Sequence, residues 1–92
     1  MKRKHIYIGL HQQRRIQGKV TKDEGIALEG SAELRGGQVS TFLSDSQGRT
    51  VWRQSFHPQD GDNGGSYRYG EYEVNVRVDI RDQVVDIGII QK

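Results

Sequence analysis

The chain has 92 residues, enough for one domain spanning 1–92 with a thin core, since a chain of this size buries only about 60–65% of its unfolded surface. It contains no cysteine, which excludes disulfides, a thiolate nucleophile and cysteine-based metal centres. Residues 1–22 hold seven of the 14 basic residues and none of the 12 acidic ones, so a +7 segment precedes a remainder of −5 within a net charge of +2.

The chain starts with Met1-Lys2-Arg3-Lys4, the charge of a signal-peptide n-region. The apolar Ile6, Ile8 and Leu10 that follow are cut off by His11-Gln12-Gln13-Arg14-Arg15, so no h-region forms. No stretch reaches the roughly 20 apolar residues of a membrane-spanning helix. The compartment is left open, with a lean to the extracytoplasmic side.

Ile6, Ile8 and Leu10 alternate with polar residues and read as a first strand; Ile16 to Val20 reads as a second. Asp23-Glu24-Gly25 leads into a third, in which Ile26, Leu28, Ala32 and Leu34 share a phase opposite Glu29, Ser31 and Glu33. Arg35-Gly36-Gly37-Gln38 supplies the positive φ angles of a tight hairpin. The next strand is Val39 to Leu43. Asp45-Ser46-Gln47-Gly48-Arg49 reads as a type I turn with a left-handed glycine, joining it to Thr50–Phe56. Trp52 and Phe56 share a face there, and core is the default for both.

His57 to Ser66 holds no apolar residue except Pro58 and reads as the longest loop, with the contact region expected over 59–69. The clearest strand follows. Tyr72, Val74, Val76, Val78 and Ile80 lie on one side, and Glu73, Asn75, Arg77 and Asp79 on the other. After the polar Arg81-Asp82-Gln83 connection, Val85, Ile87 and Ile89 face one way in the last strand, and Asp86 and Gly88 the other. Gly88 inside that strand signals a bulge or a close backbone approach. Seven short strands and no helix of two turns point to an all-β antiparallel sandwich, with a small barrel as the alternative.

The stretch Tyr69-Gly70-Glu71-Tyr72-Glu73-Val74-Asn75-Val76 has the form Gly-x-Tyr-x-Val-x-Val. It resembles the tyrosine-corner strand of immunoglobulin-like and fibronectin-like sandwiches. Gly18-Lys19-Val20, Gly25 to Ala32 and Asp45 to Arg49 are similar to carboxypeptidase regulatory-like (transthyretin-like) domains. The resemblance implies a Greek-key sandwich with Tyr72 capping the core. It also implies an accessory, adhesive or partner-binding role and no catalysis.

Asp60, Asp62 and Asn63 could offer calcium three oxygen ligands, but Gly64 stands where an EF-hand needs a fourth and no glutamate closes the loop. A solvated turn explains the same composition, so neither metal nor cofactor is expected. His5, His11 and His57 show no ligand spacing, and no Gly-x-Ser-x-Gly elbow accompanies them. The expected function is a non-enzymatic module binding another protein or a ligand. Tyr67 and Tyr69 would form a half-exposed platform beside Asp60, Asp62 and Asn63. The alternative is polyanion or nucleic-acid binding through Lys2, Arg3, Lys4, Arg14 and Arg15, with Tyr7 and His11 among them. Basic residues that protect an edge strand account for the same pattern.

Overall fold

The structure, a computed structural model, describes the backbone of residues 1–10, 16–17 and 19–92 and the side chains of 1–10 and 23–92. These residues form two antiparallel sheets built from β1 (Lys2–Gly9), β2 (Ile16–Gln17), β3 (Lys19–Asp23), β4 (Glu29–Arg35), β5 (Gln38–Ser44), β6 (Thr50–Phe56), β7 (Gly64–Tyr69), β8 (Tyr72–Asp79) and β9 (Val84–Gln91). One sheet has the order β3-β1-β9-β8-β7 and the other β2-β4-β5-β6. The all-β sandwich expected from the alternation is the fold.

Each sheet is built on a meander, β4-β5-β6 or β7-β8-β9. In the larger sheet β1 lies beside β9 after a long connection through the other sheet, so the order β1-β9-β8-β7 has the form of a Greek key. At one margin β2 pairs with β4 and β3 pairs with β1, so the chain changes sheets between them. The opposite margin, between β6 and β7, is closed by rings. Tyr67 meets Trp52 at 5.7 Å and Phe56 at 6.2 Å between centroids.

The two inner faces supply the core. Ile6 and Ile8 of β1, Val74, Val76 and Val78 of β8, and Val85, Ile87 and Ile89 of β9 face Ala32, Val39, Leu43 and Phe56 of the smaller sheet. This is the period-2 rule acting along β1, β4, β5, β8 and β9, in which buried side chains fall at alternate positions. Thr41 is buried among these apolar residues, and its hydroxyl donates to the Gln54 carbonyl at 2.8 Å.

Both expected turns form. Gly36 and Gly37 have φ of 57° and 80°, as a two-residue hairpin with the right twist requires. Asp45 accepts from the Gln47 and Arg49 amides at 2.9 and 3.0 Å, and the Gly48 amide donates to the Asp45 carbonyl at 3.0 Å.

Four expectations are corrected. The segment 64–69 belongs to β7, not to a loop. Pairing with β8 from Gly64↔Arg77 to Tyr69↔Tyr72 supplies the order that its glycines do not advertise. Only 57–63 connects the sheets, with a 3-10 turn at Pro58–Asp60. Ile80 lies beyond β8 and is 45% exposed, because the chain turns at Asp79 before a further inward position is reached. Ile26 and Leu28 are buried as expected, but β4 starts only at Glu29. The second strand, read from Ile16 to Val20, is instead divided between the two sheets.

Candidate functional site

The expected platform is turned inward. Gly65, Tyr67 and Tyr69 occupy the inner positions of β7, opposite Val76, Val74 and Tyr72. Tyr67 packs against Trp52 and Phe56, and Tyr69 stacks on Tyr72 with centroids 6.0 Å apart and planes 13° from parallel. Both tyrosines pack against the core, so their main task is to close the sandwich. Asp60, Asp62 and Asn63 precede β7 and are exposed. The Asp62 carboxylate accepts from the His57 amide at 3.4 Å, and the Asn63 carbonyl accepts from the Val78 amide at 2.7 Å. No group of three metal-ligating side chains is assembled among the described residues.

The basic set is split as well. Lys4 occupies an inward position of β1 and is only 5% exposed. Its ammonium donates to the carbonyls of Leu28 (2.5 Å) and Ile26 (3.5 Å) and pairs with Asp23 at 3.5 Å. The segment before β4 has no ladder partner there, and buried carbonyls need a donor; Lys4 provides it and is not available to a polyanion. The Asp23 carboxylate also accepts from the amides of Gly25 (2.8 Å) and Ile26 (3.1 Å). The Gly25 amide bond leads the causes that hold its pKa below the usual 3.8. Lys2 is exposed and Arg3 half-buried on β1. Arg14, Arg15 and His11 lie outside the described residues.

A different surface carries a shallow relief. The outer face of the larger sheet is set by the register of four strands. One row reads His5 (β1), Gly88 (β9), Asn75 (β8) and Ser66 (β7), and the next reads Tyr7, Asp86, Arg77 and Gly64. Gly88 has no side chain to fill its place in that row. A Cβ added there would meet His5 Cε1 at 3.2 Å. The result is a hollow of about 130 Å³ lined by His5, Asn75, Val76, Arg77, Asp86, Gly88 and Ile90.

Most of its surface is apolar, and the polar groups that border it are partly committed. His5 Nδ1 lies 3.3 Å from Asp86 Oδ1, with the imidazole side chain 41% and the carboxylate side chain 24% exposed. The imidazole also lies nearly parallel to the Tyr7 ring, 6.2 Å away. Ser66 Oγ donates to Asn75 Oδ1 at 2.6 Å, which leaves the Asn75 amide hydrogens for other acceptors. Arg77 is exposed and makes no hydrogen bond or ion pair among the described residues. A second shallow depression, lined by Tyr7, Arg77, Asp79, Asp82, Val84 and Asp86, adjoins the first.

The His5–Asp86 pair has the first two members of a serine-hydrolase relay but not its nucleophile. The serine in its row, Ser66, stands three strands away, roughly 14 Å at the spacing of a sheet. The strand pattern pointed to a bulge or a close backbone approach at Gly88; β9 pairs without a bulge there, and the nearest neighbour is the His5 ring. The pattern did not show His5 and Asn75 flanking it, because strand neighbours are not legible in one sequence. No protein-family model, curated protein or solved structure matches the chain.

Proposed function

We propose that this protein is a non-enzymatic β-sandwich binding module that recognises its partner, another protein, through the outer face of the five-stranded sheet. The observation that carries this reading is the Gly88 hollow. It concentrates one guanidinium without a partner among the described residues, one amide with spare donors and one carboxylate in contact with His5 on a rigid, regularly paired sheet. Sites on paired strands hold their groups more precisely than loops do. By contrast, the outer face of the smaller sheet presents Ser31, Ser40 and Ser55, and its Phe42 is covered by Arg53 at 5.5 Å from the ring centre.

The test compares two surface variants of the full chain with the parent in capture from a native extract. Arg77→Glu with Asn75→Arg alters the larger sheet; Ser40→Arg with Ser55→Arg alters the smaller one. The expected outcome is loss of retained protein only with the first pair. If the first pair retains the same proteins as the parent, the face is not the recognition surface. Salt-dependent retention on heparin, unchanged by the first pair, would favour the polyanion reading through the N-terminal basic residues instead.

A further inference from the structure

The hollow at Gly88 is mostly apolar, with donor-bearing residues on the β8 side and an acceptor-bearing residue on β9, and these together select a ligand class. Arg77 and the Asn75 amide hydrogens donate, and Asp86 accepts. A carboxylate entering this space would find Arg77 but would also face Asp86, with Asp79 and Asp82 lining the adjoining depression. A cation would find those acids but would face Arg77. A neutral planar group with an oxygen acceptor beside a nitrogen donor satisfies both walls without like-charge repulsion.

We propose that the hollow binds a carboxamide, its oxygen taken by Arg77 and Asn75 and its NH₂ donating to Asp86. This inference rests on the recognition face argued above and names what that face reads. The hollow, about 130 Å³ and open to solvent on its outer side, admits a carboxamide and the methylene that bears it. Ile90 supplies an apolar wall for the methylene, and the His5 ring, 3.2 Å from where a Gly88 Cβ would stand, covers the glycine and bounds the hollow on that side. His5 holds Asp86 from the side opposite Arg77's strand, so the acceptor is oriented before the ligand arrives. The same chemistry is carried by a small free amide and by a glutamine or asparagine side chain of a partner.

The experiment is an amide-shift titration of the intact chain with propionamide, propionate and propylammonium. Propionamide should give saturable shifts at Asn75, Arg77, Asp86 and Gly88, at concentrations several-fold lower than the two charged probes need. Arg77→Met should weaken propionamide about fivefold, the loss of one hydrogen bond partly open to water. Gly88→Val should abolish the shifts: its φ is not in the left-handed region, so the backbone accepts a side chain, which fills the hollow and displaces the His5 ring, 3.2 Å from the Cβ position. A short peptide carrying glutamine, compared with one carrying glutamate in its place, separates a side-chain ligand from a free amide: tighter binding than propionamide assigns the site to a partner's side chain. Equal response to all three probes, or propionamide shifts unaffected by Arg77→Met, overturns the proposal. Absence of any propionamide shift overturns it too. If extract capture still depends on the Arg77 and Asn75 face in that case, the recognition reading survives and only the ligand class falls.

Discussion

Two residues show how an individual position is decided by what surrounds it. Lys4 is a cation in a dry place, held by the carbonyls of Ile26 and Leu28 and by Asp23. Lys4→Met keeps much of the volume and removes the donors, so the loss should report the unsatisfied carbonyls, about 1–3 kcal/mol. Urea denaturation should show a lower midpoint with an unchanged slope. Gly64 is governed by sterics. Its φ is 142°, and a Cβ would lie 2.0 Å from the Val76 carbonyl oxygen. The contact is with backbone and cannot be relieved by a rotamer change. Gly64→Ala should therefore cost about 2 kcal/mol or more, in the range of strained-backbone substitutions, with the amides of β7 losing their protection from exchange first.

Single elements carry the acid sensitivity. Asp45 organises the β5–β6 turn by accepting backbone amides, and its Arg49 partner adds an ion pair at 3.0 Å. The Arg49 amide bond is the largest of the causes that lower its pKa below 3.8. The folded state then binds fewer protons than the unfolded one near that pH. The stabilisation is fully present above about pH 4 and is lost as pH falls through the lowered folded value. Asp23, lowered first by the Gly25 amide, contributes with the same sign. Circular dichroism of the parent should show stability declining from about pH 4 downward, and Asp45→Asn should flatten that decline. A variant with an undiminished acid slope would mean that the turn is not one of the titrating elements.

The strand elements themselves were legible to different degrees. From Tyr72 to Asp79 the alternation of apolar and polar residues is uninterrupted, and the strand occupies those residues. Ile80 continues the pattern in sequence but not in space, since alternation cannot tell where a turn will start. The segment 64–69 was hidden for the opposite reason: Gly64, Gly65 and Ser66 carry no apolar signal. Its strand character is conferred by β8 through hydrogen bonds that any sequence can make. Tyr67 and Tyr69 were noticed as large and half-exposed, and they are half-buried. Their direction followed from the pairing and not from their type.

For the molecule as a whole, stability should concentrate where strands are paired on both sides and packed on one. β1, β9 and β8 of the larger sheet and β4 and β5 of the smaller meet that condition, and β9 lies at the centre of the five-stranded sheet. Amides of Ile87 and Ile89 should exchange most slowly, and those of the marginal strands β6 and β7 faster. Ile87→Ala removes a fully buried side chain from the middle of the core and should cost about 2–5 kcal/mol. In a domain this small that is a large fraction of the total, and partial unfolding at room temperature is the expected outcome in scanning calorimetry.

The sequence by itself determined the class of fold, the two glycine-bearing hairpins and the dry face of most strands. These follow from local sterics and from the two-residue period of side chains, which need no knowledge of neighbours. Only the tertiary structure decided that Lys4 is caged and that two tyrosines close one margin. It alone set His5, Asn75, Arg77 and Asp86 around the gap left by Gly88. Each of these depends on which strands lie side by side and in what register, and that is settled by long-range packing that a one-dimensional pattern does not encode.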